Sequence, residues 1–309
     1  MVRGRGDVGT GRLVVSHLDV DVAGSPAVRD LSLTAEPGAV TGLLGPAAAG
    51  KSAVVAAVLG LRPPSAGSAT VDGVAVPDLP RPGRVVGAVL ARPGAHPRRT
   101  LRAHLRIAAA ASGLPGARVD DVLGLAGLGH VAAQRATGQP PAVLARLAVA
   151  TALLADPPVL VLDEPATHLD PDGMAWLRAL LRRRAAAGAT TLLASRSPEQ
   201  LVGPDDPVTV LVAGRCVHSG RLADLAGGAR VLLATADPAG LAHALVRAGV
   251  PDVVLRPDGR LAVAGTTPAM VAELARAAGI PAPDVTVEPA DPRGAYLRLV
   301  AGPGPGAAW

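Results

Sequence analysis

Apolar residues come in this chain as short dense runs broken by Gly and Pro, and run length separates strand from helix. Leu13–Val22 alternates weakly and reads as an edge strand; Leu31–Ala35 reads as a second strand, closed by the turn residues Glu36-Pro37-Gly38. Ala39–Leu44 is a short apolar run, and Ala53–Leu61 is apolar at helical length, ended by Pro63, Pro64 and Gly67. Ala69–Val76 predicts a hairpin around Asp72-Gly73, and Val85–Leu90 a further strand. Thr100–Ser112, Val119–Leu128 and Ala142–Leu154 are helical candidates, the last stopped by Asp156-Pro157-Pro158. Val159–Leu162 is a fully apolar strand of the buried type, Pro171–Ala187 a long helix with an Arg-rich outer face, and Thr190–Ala194 and Val208–Val212 two more strands. Strands alternating with helices predict an α/β core around a parallel sheet.

The pattern changes past the Gly-rich stretch 220–230. Strand Val231–Thr235, helix Pro238–Ala248, a hairpin of Val253–Arg256 and Arg260–Ala264 over Asp258-Gly259, a helix capped by Thr267, and strand Val285–Glu288 follow in βαββαβ order. That order predicts a small ferredoxin-like α+β module over residues 230–300, with Pro292–Val300 as a last helix. Met1–Arg12, Gly/Arg-rich and without an apolar stretch, reads as a disordered leader rather than a secretory signal, and residues 301–309 as a disordered tail.

Composition narrows the chemistry. Of 309 residues, 49% are apolar but only 1% aromatic, so the core is aliphatic. Lys and Arg total 30, yet Lys51 is the single lysine. The net charge is +5, but no basic run exceeds Arg182–Arg184 and stacking aromatics are scarce, so nucleic acid is not an expected partner. One cysteine, Cys216, excludes a disulfide framework within the chain. No uninterrupted apolar run approaches the roughly 18 residues of a bilayer span, which places the chain in the cytoplasm.

Gly45-Pro46-Ala47-Ala48-Ala49-Gly50-Lys51-Ser52 fits G-x-x-x-x-G-K-[ST], between an apolar strand and an apolar helix. In that setting the glycines let backbone N–H groups turn toward phosphates, and the helix adds its positive N-terminal end. Lys51 is positioned for the β- and γ-phosphates, and the Ser52 hydroxyl for Mg²⁺. The second element is Val159-Leu160-Val161-Leu162-Asp163-Glu164-Pro165, about 110 residues downstream. It sets Asp163 at a buried strand end as a Mg²⁺ carboxylate, and Glu164 on a different face as a candidate general base. Glu164 is one of only five Glu against twenty Asp.

At these residues the chain resembles the ATP-binding subunits of ABC transporters, over roughly 13–220. Gly42-Leu43-Leu44-Gly45-Pro46 is similar to the lead into their Walker A loop, and Asp163-Glu164-Pro165-Ala166-Thr167-His168-Leu169-Asp170-Pro171 to their Walker B and D-loop segment. The resemblance implies a P-loop NTPase cassette over 13–222, with a mixed-sheet core and a helical subdomain near 95–150. It also implies ATP and Mg²⁺ as ligands and Asp170 at a dimer face. The implied partners are a second cassette and an integral-membrane permease, with the subunit peripheral on the inner membrane face and hydrolysis coupled to export. The carboxy-terminal module looks like the extra domain of bacterial drug- and antibiotic-export subunits.

Four positions depart from the family pattern. Gln139-Pro140-Pro141-Ala142-Val143 stands where the Leu-Ser-Gly-Gly signature belongs, Arg196 replaces the switch histidine, Ala91 the Q-loop glutamine, and Val22 the adenine-stacking aromatic. A chain with the nucleotide-holding half of the motif set and without the closing half implies slow or partner-dependent hydrolysis. The alternative is a pseudo-ATPase that binds nucleotide as a regulator. Soluble double-cassette relatives and P-loop kinases or GTPases fit less well, since one P-loop is present and the 163–171 stretch is not theirs.

Overall fold

A computed structural model describes residues 9–91, 94–225, 230–250, 252–288 and 291–301. The expected leader and tail therefore lie mostly outside the described residues. Residues 9–12 are packed rather than loose: the N–H groups of Gly11 and Arg12 donate to the Asp72 carboxylate at 2.9 and 3.0 Å. The chain divides into two compact units between Gly220 and Arg221.

The first unit opens with β1 (Leu13–Val22), β2 (Ser25–Ala35) and β3 (Val40–Leu44), then α1 (Lys51–Val58) and β4 (Ala66–Val71). Next come α2 (Pro82–Val85), β5 (Val86–Val89), α3 (Leu101–Ala111), α4 (Ala117–Leu125), α5 (Pro141–Ala152) and β6 (Val159–Asp163). The unit closes with α6 (Pro171–Ala186), β7 (Thr190–Ser195), β8 (Pro207–Val212) and β9 (Arg215–Arg221). β2, β1 and β4 form an antiparallel three-stranded sheet in that order. β1 is thus a central strand and not an edge. Its alternating pattern reports one covered face and says nothing of how many neighbours its backbone has. The expected hairpin at Asp72-Gly73 is reduced to a single bridge between Val71 and Val74, because β4 spends its hydrogen bonds on β1.

The larger sheet runs β5-β6-β7-β3-β8-β9. β5 through β8 pair in parallel, and every residue of β3, β6 and β7 is buried. Runs such as Val159–Leu162 have no polar alternation because helices and the small sheet cover both faces. β9 was absent from the sequence expectation; its residues are mostly exposed and carry no apolar run. One aliphatic core joins the two sheets through α1, with Leu13, Leu18 and Leu31 meeting Val54, Val58, Leu43, Val161 and Leu192. Helices α3, α4 and α5 pack on one another as the expected helical part. Arg146 on α5 stacks over the Trp176 ring of α6 at 4.7 Å, and the Trp176 indole N–H donates to Leu125 O.

The second unit comprises α7 (Leu222–Leu225), β10 (Arg230–Ala234), α8 (Pro238–Arg247), β11 (Val253–Leu255), β12 (Leu261–Ala264), α9 (Pro268–Ala277), β13 (Asp284–Glu288) and α10 (Pro292–Ala301). Its antiparallel sheet has the order β11-β12-β10-β13, the arrangement of a ferredoxin-like βαββαβ module. Thr267 caps α9, its side chain accepting from Met270 N. Leu233, Leu241, Leu245, Val263 and Val271 fill a core of its own.

Candidate nucleotide site

The site forms where three parallel strands end side by side. β7 lies between β3 and β6, with Leu44 level with Ser195 and Asp163 level with Ala194. Gly45 N–H donates to Ser195 O at 3.2 Å, and Glu164 N–H to Ala194 O at 2.9 Å. The loop after β3, the carboxylates at the end of β6 and Arg196 after β7 are therefore brought to one edge. Ligands of open α/β sheets gather at the carboxyl ends of strands.

The turn 45–50 needs glycine at both ends. A Cβ on Gly45 would meet Leu211 O at 2.4 Å, and Gly50 has φ +104° with a Cβ position 2.5 Å from Ala27 O. Ala48 also sits in left-handed backbone, at φ +61°. α1 starts at Lys51, two residues before the expected start at Ala53, because an apolar pattern cannot register the polar first turn.

Lys51 is buried at 5% exposure. Its ammonium donates to Gly45 O at 2.8 Å and Pro46 O at 2.9 Å, and lies 3.3 Å from Glu164 Oε1. Burial holds its pKa below the usual lysine value, against the opposing pull of Glu164. Glu164 occupies left-handed backbone at φ +49° and is 13% exposed at its side chain. Arg196 Nε stands 3.5 Å from the same Glu164 oxygen.

Asp163 is 3% exposed. Burial raises its pKa; the Ser52 hydroxyl and the Ala91 N–H, both hydrogen-bonding the carboxylate, pull the other way. Asp163 Oδ1 is buried without a hydrogen-bond partner. An orphaned carboxylate oxygen beside a serine hydroxyl suits a hard cation. Among the described residues no group of three His, Cys, Asp or Glu could enclose a metal by itself. The donor set therefore fits Mg²⁺ completing its shell with phosphate oxygens and water, as that ion prefers.

The other singled-out positions divide. Ala91 meets the Asp163 carboxylate through its backbone N–H, a contact independent of its side chain. Asp170 is exposed and caps α6, accepting from Gly173 N at 2.7 Å. Val22 is 38% exposed at the end of β1. Gln139–Val143 spans the start of α5, where Pro140 and Pro141 have no N–H and the N–H groups of Val143 and Leu144 both return to Pro140 O. Gln139 Nε2 donates to Gln134 Oε1. Sequence reasoning marked Arg196 as a departure but missed its contact with Glu164. The only signal available was its place after a strand parallel to both motif strands.

This constellation has counterparts in known proteins. Residues 28–167 match the family model described as "ABC transporter". Nod factor export ATP-binding protein I of Rhizobium etli is 34% identical over 203 residues, covering 64% of this chain and 64% of its own length. Its counterpart in Bradyrhizobium sp. (strain SNU001) is 33% identical over 217 residues, covering 67% of this chain and 71% of that protein. The Fe(3+) ions import ATP-binding protein FbpC of Agrobacterium fabrum is 30% identical over 219 residues, 68% of this chain and 61% of that one. This chain thus spans less than two thirds of the Rhizobium etli and Agrobacterium relatives. Among solved structures, an ATP-binding subunit of an ABC transporter superposes with TM-score 0.62 at 25% identity, covering 69% of this chain and 91% of that one. Matched at 33% identity over 71% of the length of one such relative, and carrying the loop, the strand-end carboxylates and the parallel core described above, the chain belongs to the ATP-binding proteins of the ABC transporter family.

Proposed function

We propose that this chain binds Mg-ATP on Gly45–Ser52 and Asp163 and serves as the ATP-binding subunit of an ABC transporter, coupled to a separate membrane permease. The observation that carries the reading is the meeting of Lys51, Asp163, Glu164 and Arg196 at one strand edge. The amides of the 45–50 turn and the start of α1 orient the triphosphate, and Lys51 offsets charge on its terminal groups. Ser52 and Asp163 would hold Mg²⁺, which neutralises phosphate charge when bound. Glu164 is placed to take a proton from an attacking water. No described helix is long and apolar enough to cross a membrane, which accords with a subunit seated on a permease at the inner membrane face.

Hydrolysis is slow or depends on a second, intact cassette. One well-placed transition-state donor contributes about 10²–10³ in rate. The α5 start lacks two N–H groups to offer a phosphate, and Glu164 is engaged by two cations. Export is the favoured direction, from the Nod factor export relatives. The experiment is direct. Fluorescent ATP should bind the purified protein with Mg²⁺, and Lys51→Ala should remove that binding; unchanged affinity sinks the P-loop reading. Turnover of the protein alone should be low, and brisk turnover abolished by Glu164→Gln would refute the slow-site half. A pseudo-ATPase role would show as binding with no turnover even beside a partner cassette.

A further inference from the structure

We propose that Arg196 is the standby counter-ion of Glu164, which lets Lys51 leave that carboxylate for a bound triphosphate. The inference rests on the nucleotide-binding reading above. An ammonium has three donors. Those of Lys51 are taken by Gly45 O at 2.8 Å, Pro46 O at 2.9 Å and Glu164 Oε1 at 3.3 Å. To reach a phosphate oxygen, Lys51 gives up at least one of them, and Glu164 is the longest and the only anionic partner.

The Glu164 backbone is held in place. Its N–H is fixed on Ala194 O, its carbonyl accepts from Thr167 N, and its backbone is left-handed. At 13% side-chain exposure, the carboxylate is poorly hydrated once stranded, and an unpaired charge in such a place is costly. Arg196 is the other cation at the same oxygen, 3.5 Å away, and half of its side chain is in solvent. It has room to close, and its own charge repels Lys51. The loop that carries it is pinned, with Ser197 N–H on Ser195 Oγ and that hydroxyl on Ser197 O.

The test is a double-mutant cycle on affinity, independent of turnover. Binding of the non-hydrolysable analogue AMP-PNP with Mg²⁺ is titrated on the full chain. Arg196→Gln should weaken binding by about three- to tenfold, and Arg196→Lys should restore most of it. With Glu164→Gln already in place, Arg196→Gln should change affinity by less than about twofold, since no carboxylate remains to be compensated. Thermal unfolding of each variant confirms that it is folded, and Arg196→Ala replaces Arg196→Gln if the latter is not. No loss in the single variant overturns the proposal. An equal loss in both backgrounds also overturns it, because Arg196 would then touch the phosphate directly. If the unmutated chain fails to bind the analogue, the nucleotide reading itself falls; if it binds and the cycle is additive, only this inference does.

Discussion

At the scale of single residues, the site is built from groups held away from their comfortable states. Asp163 shows the consequence for stability. Burial raises its folded pKa above the unfolded value, despite the Ser52 and Ala91 hydrogen bonds. Between the two values the folded chain binds more protons than the unfolded one, so stability falls as pH rises through that window and stays reduced above it. Asp163→Asn removes this penalty. The variant should melt about 2–4 °C above the parent at pH 7 without nucleotide, the gain shrinking as pH falls through the raised folded value and gone below the ordinary aspartate value of about 3.9. Its Mg²⁺-dependent gain in nucleotide affinity should vanish. Equal melting temperatures at pH 7 would mean that the ionised carboxylate is not strained. Lys51 and Asp163 were legible in sequence because few residue types suit their positions. The Glu164–Arg196 contact was not, since 32 residues separate the pair and only sheet order makes them neighbours.

At the scale of elements, the strands that present the site are also its stiffest support. Leu162 is fully buried in β6, pairs with Leu193 of β7, and immediately precedes Asp163. Leu162→Ala should cost about 2–5 kcal/mol in chemical denaturation, through lost burial and the cavity left behind. Nucleotide affinity should fall with it, because the strand end then wanders. A loss under about 1 kcal/mol would mean that β6 repacks freely. Apolar runs announced β3, β6, β7 and β8 because buried parallel strands need apolar side chains on both faces. β9 escaped notice and β1 was read as an edge, since exposure and neighbour count leave no reliable mark on a half-polar strand. The helix after the P-loop begins earlier than its apolar pattern because its first turn serves the loop, not the core.

At the scale of the whole molecule, the chain is two units, each with its own core. The second has a four-stranded antiparallel sheet and two helices packed over it, Leu241 and Leu245 from α8 and Val271 from α9 filling its interior. A segment of residues 221–309 should therefore fold alone, with cooperative thermal unfolding and dispersed amide resonances. A molten, non-cooperative transition would show that its core is too small to stand by itself, a real hazard for fewer than about 100 residues. By sequence alone this protein was committed to an aliphatic α/β cassette with a glycine-bounded loop before its first helix, a strand-end acid and a second small module. Local chemistry suffices for that: a glycine turn, a lone lysine and an apolar strand each have few alternatives. Only tertiary structure decided that β7 lies between the two motif strands and delivers Arg196 to Glu164. Strand order is set by long-range packing, and a side chain's charge carries no record of which distant strand will lie beside it.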